Sequence, residues 1–162
     1  MPQPNDLQDE LAEIIRGAID ETVTAFFTLD ISIKAGPTIT KTEYESYEPP
    51  QADVTAVVNF TGAIEGGVHL SAPMHTALSL VAAFAGEPIE SFDVTAKDAL
   101  GELSNIIAGA VKERINEAVY LTPPQVITGA NHEIVYTKSL ESTKCYFTTS
   151  SGPFFVEVFY RR

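Results

Sequence analysis

The stretch Asp98-Ala99-Leu100-Gly101-Glu102-Leu103-Ser104-Asn105-Ile106-Ile107-Ala108-Gly109 decides how the rest of the chain is read. At about 100° per residue, Asp98, Glu102, Asn105 and Gly109 fall within a narrow arc of one helix. Leu100, Leu103, Ile107 and Val111 gather on the opposite side. One face has the character of a core seam. The other presents an acid, a second acid, an amide and a glycine in line along the helix axis. The remainder of the chain then serves as a scaffold holding this face out to solvent.

Working outward, Thr95 precedes Asp98 by three residues and resembles a capping box with Asp in place of Glu. The helix is expected to run from there to about Ala118. Residues 87–94 form a connector. Before it, Pro73 opens another helix, where its missing N–H costs nothing. Met74, Ala77, Leu78, Val81 and Phe84 form the apolar seam of that helix, and Gly86 closes it.

Residues 52–72 read as a hairpin with its turn at Thr61-Gly62-Ala63. Val54, Ala56, Val58 and Phe60 alternate with more polar neighbours. Gly66-Gly67 in the second strand suggests a bulge or a close backbone approach. At the start of the chain, a helix capped by Asn5 or Asp6 is expected to about Phe27, with Leu7, Leu11, Ile14, Ile15, Ala18 and Val23 at spacings of three and four. Residues 29–34 alternate as a strand that Gly36-Pro37 breaks, and residues 41–51 read as a loop or an edge strand.

Beyond the central helix, residues 120–124 turn the chain. Residues 126–128 and 132–137 are short strand candidates, and residues 144–149 and 153–160 form a final hairpin around Ser150-Ser151-Gly152. Its last strand carries bulky apolar residues on both faces, which predicts a central position. The order of elements predicts an α+β fold over residues 1–162, in a single domain: a mostly antiparallel sheet with long helices packed on one face.

Composition limits the function. The chain has 22 acids against 10 bases, a net charge of −12, which disfavours nucleic acid and anionic membranes as partners. The single cysteine, Cys145, makes no intramolecular disulfide and seeds no thiolate metal site, so it reads as a buried small hydrophobe. No apolar run reaches the ~18 residues a membrane helix needs. The polar, acidic start lacks a signal sequence, and the cytoplasm is the expected compartment.

The usual enzymatic constellations are missing or weak. No Gly-rich loop with lysine is present, and Gly62 to Gly67 lacks the strand–helix context of a nucleotide fingerprint. His69, His75 and His132 show no metal-ligand spacing, although His69 and His75 flank a strand end. Ser71, Ser79 and Ser104 lack a nucleophile elbow.

The acid–amide face remains. A solvated helix face is its ordinary explanation. Two residues argue for more: Asn105 is a poor helix former, and Gly109 costs ~1 kcal/mol relative to Ala in a helix interior. An asparagine can hold a water through its carbonyl and amide. A carboxylate one turn earlier can anchor a cation on a docked partner. That pairing can aim a water but not create a strong nucleophile, which suggests hydrolysis of an already reactive bond.

On these residues the chain resembles the CheC/CheX/FliY phosphatases of bacterial chemotaxis. The family motif is an acid or serine, three residues, Glu, two residues, Asn, and stands here as Asp98-Ala-Leu-Gly-Glu102-Leu-Ser-Asn105. The hairpin Asn59-Phe-Thr-Gly62…Gly66-Gly67-Val-His-Leu70-Ser-Ala-Pro73 leading into a helix is also similar. A single motif copy and the chain length are closer to the CheX branch than to two-site CheC.

The resemblance implies a phosphatase acting on the aspartyl phosphate of a CheY-type response regulator. Glu102 would pair with the regulator's lysine and Asn105 would position the attacking water, with Asp98 and Gly109 supporting. No cofactor of its own is implied, since Mg2+ would be held by the regulator's acids. A homodimer paired through sheet edges is implied as well. The family commonly has a proline well downstream of the Asn; Pro123 and Pro124 come earlier here. The rival is a non-catalytic adaptor of the same fold that binds a response regulator or another signalling protein. A small-molecule domain using the strand–helix cleft has no specific residues behind it.

Overall fold

The computed structural model describes residues 4–27, 34–40, 52–115, 117–134, 136, 140–149 and 151–161. Helix α1 spans Pro4–Phe27 and strand β1 Lys34–Thr40. The hairpin follows as β2, Val54–Gly62, and β3, Glu65–Ala72. Helices α2, Met74–Ala85, and α3, Val94–Ile115, come next. Short strands β4, Val119–Leu121, and β5, Gln125–Thr128, lead to the last hairpin, β6, Glu141–Thr149, and β7, Gly152–Arg161.

The strands form one sheet in the order β1-β6-β7-β3-β2-β4, with β5 also paired to β2. Every pairing is antiparallel. Strand β7 is central as expected. Its alternation places Phe154, Val156, Val158 and Tyr160 in the main core under the helices. Phe155 and Glu157 are buried on the far face. Helices α1, α2 and α3 cover the first face, where Ile15, Ile19, Leu80, Leu103 and Ile107 are all but excluded from water. Each such side chain contributes about 1.5–3 kcal/mol relative to exposure. The α+β reading therefore holds, and Cys145 is a buried core residue.

Several local expectations are corrected. Gly36-Pro37 does not break a strand; it lies inside β1, at a register shift between Ala35 and Thr38. An edge strand tolerates proline at such an irregularity, because the missing N–H can face away from the sheet. Residues 29–33, and the loop or edge strand expected at 41–51, lie outside the described residues. The hairpin turn sits at Ala63 and Ile64, beginning two residues after the expected Thr61, since β2 runs through Gly62. Gly66 answers the close-approach reading: its backbone lies against the carbonyl of Phe159, leaving no room for a side chain.

The seam of α2 is rolled: Thr76, Ala77, Leu80 and Val81 are buried, while Met74, Leu78 and Phe84 are only partly so. Gly86 does cap this helix in the left-handed conformation, φ 72°. Tyr120 and Leu121, expected at the start of a turn over residues 120–124, instead pair with β2 in β4. The strand expected at 132–137 is not formed among its described residues. There the chain is pinned to the sheet: His132 donates its backbone N–H to Ala52 and places its ring beside Thr55 and the Gly129 carbonyl.

Candidate functional site

Helix α3 is capped by Asp93, just before its first residue; the Asp93 carboxylate accepts the backbone N–H of Ala96 at 2.9 Å. That is the N-cap bond, and it corrects the expected Thr95–Asp98 box: Thr95 lies inside the first turn. The helix also stops at Ile115, short of Ala118, because the chain must turn to enter β4. Between these ends the periodicity holds. Leu100, Leu103, Ile107 and Val111 are buried against the sheet and α1. Arg114 of α3 pairs with Glu21 of α1, adding a surface tie between the two helices.

The opposite face carries the row. Asp98 and Glu102 are exposed; Asn105 and Gly109 are half-buried. Among the described residues, none of the Asp98, Glu102 and Asn105 side chains makes a hydrogen bond or ion pair. Successive members stand about one turn apart, so the four share one strip of surface. The structure thus brings together all four residues singled out in the sequence.

Sequence reasoning missed the wall beside this strip. Between β4 and β5 the chain leaves the sheet for residues 122–124. Thr122 holds the departure in place: its N–H donates to the Asn59 carbonyl at 2.8 Å, and its hydroxyl accepts the Asn59 N–H at 3.1 Å. The bulge carries Pro124 onto α3 at Gly101, where an added Cβ would lie 3.5 Å from the proline ring. Gly101 is buried next to Glu102, so the early diproline borders the acid–amide row. The diproline was visible in the sequence, but no local period says which helix residue it reaches.

The remaining polar residues lie elsewhere. His69 is buried on the far face of the sheet. Its Nε2 lies 2.9 Å from the Tyr136 hydroxyl, which donates to Asn59 Oδ1 at 3.0 Å. Burial pushes the His69 ring down to about 4. Burial, and then the nearby Glu157 carboxylate, pushes the Tyr136 phenol up to about 12. His75 is exposed beside Gly152, so it does not pair with His69. Ser71 bonds to Thr55, Ser79 to Ser151, and Ser104, buried in α3, faces the Ala56 carbonyl. Among the described residues no group of three or more His, Cys, Asp or Glu side chains could hold a metal ion, and no helix is long and apolar enough to cross a membrane.

An exposed carboxylate, a free amide and a proline wall can hold a partner and orient a water. The fold and this face define a class, the CheX/CheC-like chemotaxis proteins. A chemotaxis protein CheX from Desulfovibrio desulfuricans has a TM-score of 0.76 at 25% identity, over 94% of this chain and 99% of that one. The CheX chain of a Borrelia burgdorferi CheX–CheY–BeF3–Mg2+ complex has a TM-score of 0.76 at 21% identity, over 93% and 97% of the two chains.

The model of the family described as chemotaxis phosphatase CheX matches residues 54–148. A Thermotoga maritima protein named CheY-P phosphatase CheX is 36% identical over 122 residues, 73% of this chain and 75% of that one. The chain belongs to the CheX family of chemotaxis phosphatases.

Proposed function

We propose that this protein hydrolyses the aspartyl phosphate of a CheY-type response regulator, using the row on α3. The observation that carries the proposal is the strip of exposed Asp98 and Glu102 and half-buried Asn105, whose side chains have no partner among the described residues. Polar groups left without internal partners on a rigid element are free to spend their bonds on a ligand. The naming of the Thermotoga maritima relative and the Borrelia burgdorferi complex support a CheY-type partner.

In this proposal Glu102 pairs with the regulator's lysine beside the phosphoaspartate. Asn105 holds a water through its carboxamide, in line with the bond to be broken. The water oxygen bonds to phosphorus while the bond from phosphorus to the aspartyl oxygen breaks. The regulator's carboxylate leaves with the electron pair, and the water's proton passes to the phosphate product or to solvent. An acyl phosphate is already activated, so orientation supplies most of what is needed. Asp98 and Gly109 have supporting parts, one as charge on the strip and one as open space. Mg2+ belongs to the regulator's own acids and neutralises charge on the phosphoryl group. The protein works in the cytoplasm, as a homodimer paired through a sheet edge.

The test is the decay of a phosphorylated CheY-type regulator alone, with this protein, and with Asn105→Ala. Faster decay that Asn105→Ala slows by about a hundredfold, at unchanged melting temperature, supports water positioning. Equal activity in that variant refutes it. Binding without acceleration, across several regulators, favours the adaptor.

A further inference from the structure

Gly109 has no explanation inside the fold. It lies in the interior of α3, half-buried, and a Cβ built on it meets nothing within 4 Å. Glycine is the poorest helix former after proline. Gly101 differs, since the Pro124 ring lies against it. What glycine leaves at position 109 is bare helix backbone, one turn beyond Asn105 on the same strip.

The ground beyond it is shaped as well. Gly109, Lys112, Glu113, Glu117 and Ala118 line a shallow depression at the end of α3. Lys112 and Glu113 are exposed and make no ion pair or hydrogen bond among the described residues. They set one charge of each sign at the rim. Asn105 and Gly109 are about 6 Å apart along the axis. A folded protein that lies along this strip with its phosphoryl group at a water on Asn105 also comes over Gly109.

We infer that Gly109 is a docking determinant: the regulator surface flanking the phosphoaspartate seats directly on the helix backbone there, with Lys112 and Glu113 engaging its polar rim. This rests on the phosphatase reading of the same strip and extends it by two turns. The occupant is the folded regulator itself. A free peptide or small acyl phosphate has no flanking surface for a side chain at 109 to obstruct.

The test uses Gly109→Leu with Gly17→Leu as its matched control. Gly17 lies in α1, is also half-buried, and also has nothing within 4 Å. Both substitutions should leave the melting temperature unchanged or raised, because each replaces a poor helix former at a site where the added Cβ meets nothing within 4 Å. Gly109→Leu should raise KM for the phosphorylated regulator about tenfold with kcat within about twofold, the mark of lost binding, not lost chemistry. Gly17→Leu should change neither. Should Leu lower the melting temperature at 109, Gly109→Ser repeats the comparison with a smaller side chain.

Affinity for the regulator carrying BeF3 as the phosphoryl mimic is measured alongside. Unchanged KM and affinity in Gly109→Leu overturn the inference and leave the phosphatase reading standing. A wild type that binds the regulator without hydrolysis, and loses that binding in Gly109→Leu, overturns the phosphatase reading and supports the docking surface.

Discussion

The buried His69 ring makes stability depend on pH with a sign and size that follow from its surroundings. It is 3% exposed, and its folded value lies near 4 against an ordinary 6.5. Unfolded chains therefore bind a proton on this side chain well above the pH at which the folded protein does. Stability from this group is complete above about pH 6.5 and is lost as pH falls toward 4, at about 1.4 kcal/mol per pH unit. Between pH 7.5 and 5.5 the loss comes to about 1.3 kcal/mol. A folded value anywhere near 4 gives almost the same figure, because at pH 5.5 the buried ring is still neutral. The window stops there because the chain's isoelectric point is about 4.5, where solubility is least. Urea unfolding of the protein and of His69→Gln, at both pH values, isolates the effect. Gln keeps an N–H donor for the Tyr136 hydroxyl and cannot titrate. The wild type should lose about 1.3 kcal/mol more than the variant across the window. Parallel losses would mean that the folded ring takes up its proton as readily as the unfolded one, and the burial argument would fail.

Two further outcomes bear on α3. Asp93→Ala removes the N-cap bond to Ala96 and should cost about 1 kcal/mol; for a chain of this size that lowers the melting temperature by roughly 2–4 °C. An unchanged melting curve would show that the helix start is held by other contacts. Glu102→Ala should raise KM for the phosphorylated regulator and lower kcat together, since a docking carboxylate both binds and orients. Unchanged kinetics would remove Glu102 from the site, while circular dichroism checks that this exposed substitution leaves the helix intact.

The parts of the molecule that were legible are those governed by local period. The buried side of α3 follows from the spacing of Leu100, Leu103, Ile107 and Val111, and its outer strip follows with it. The same holds for β7, whose two apolar faces required neighbours on both sides. Misreadings occurred where two local signals competed. Asp93 and Thr95 are both sound caps two residues apart, and only the backbone path selects between them. Gly36-Pro37 ends a strand in most settings but serves as an irregularity at an edge. Residues 134–137 are β-branched or aromatic and suit a strand, yet His132 ties the start of that segment down as a loop. What the sequence could not disclose was long-range: the reach of Pro124 to Gly101 depends on Thr122 clasping Asn59, more than sixty residues earlier. A contact at that separation leaves no trace in any window of neighbouring residues.

The acid–amide strip stands on the outer surface of a helix, and a convex surface offers little to a small solute. A free acyl phosphate diffusing past Asn105 would find one amide, one carboxylate and bulk water, with nothing to hold its orientation. If the strip is the proposed site, the catalytic cavity forms only while two proteins are in contact, and its other half arrives with the substrate. A site of that kind would leave small phosphodonors intact while erasing the signal written on a particular protein. A blocking agent for such a site would be another macromolecule, or a helix mimic broad enough to lie across four turns.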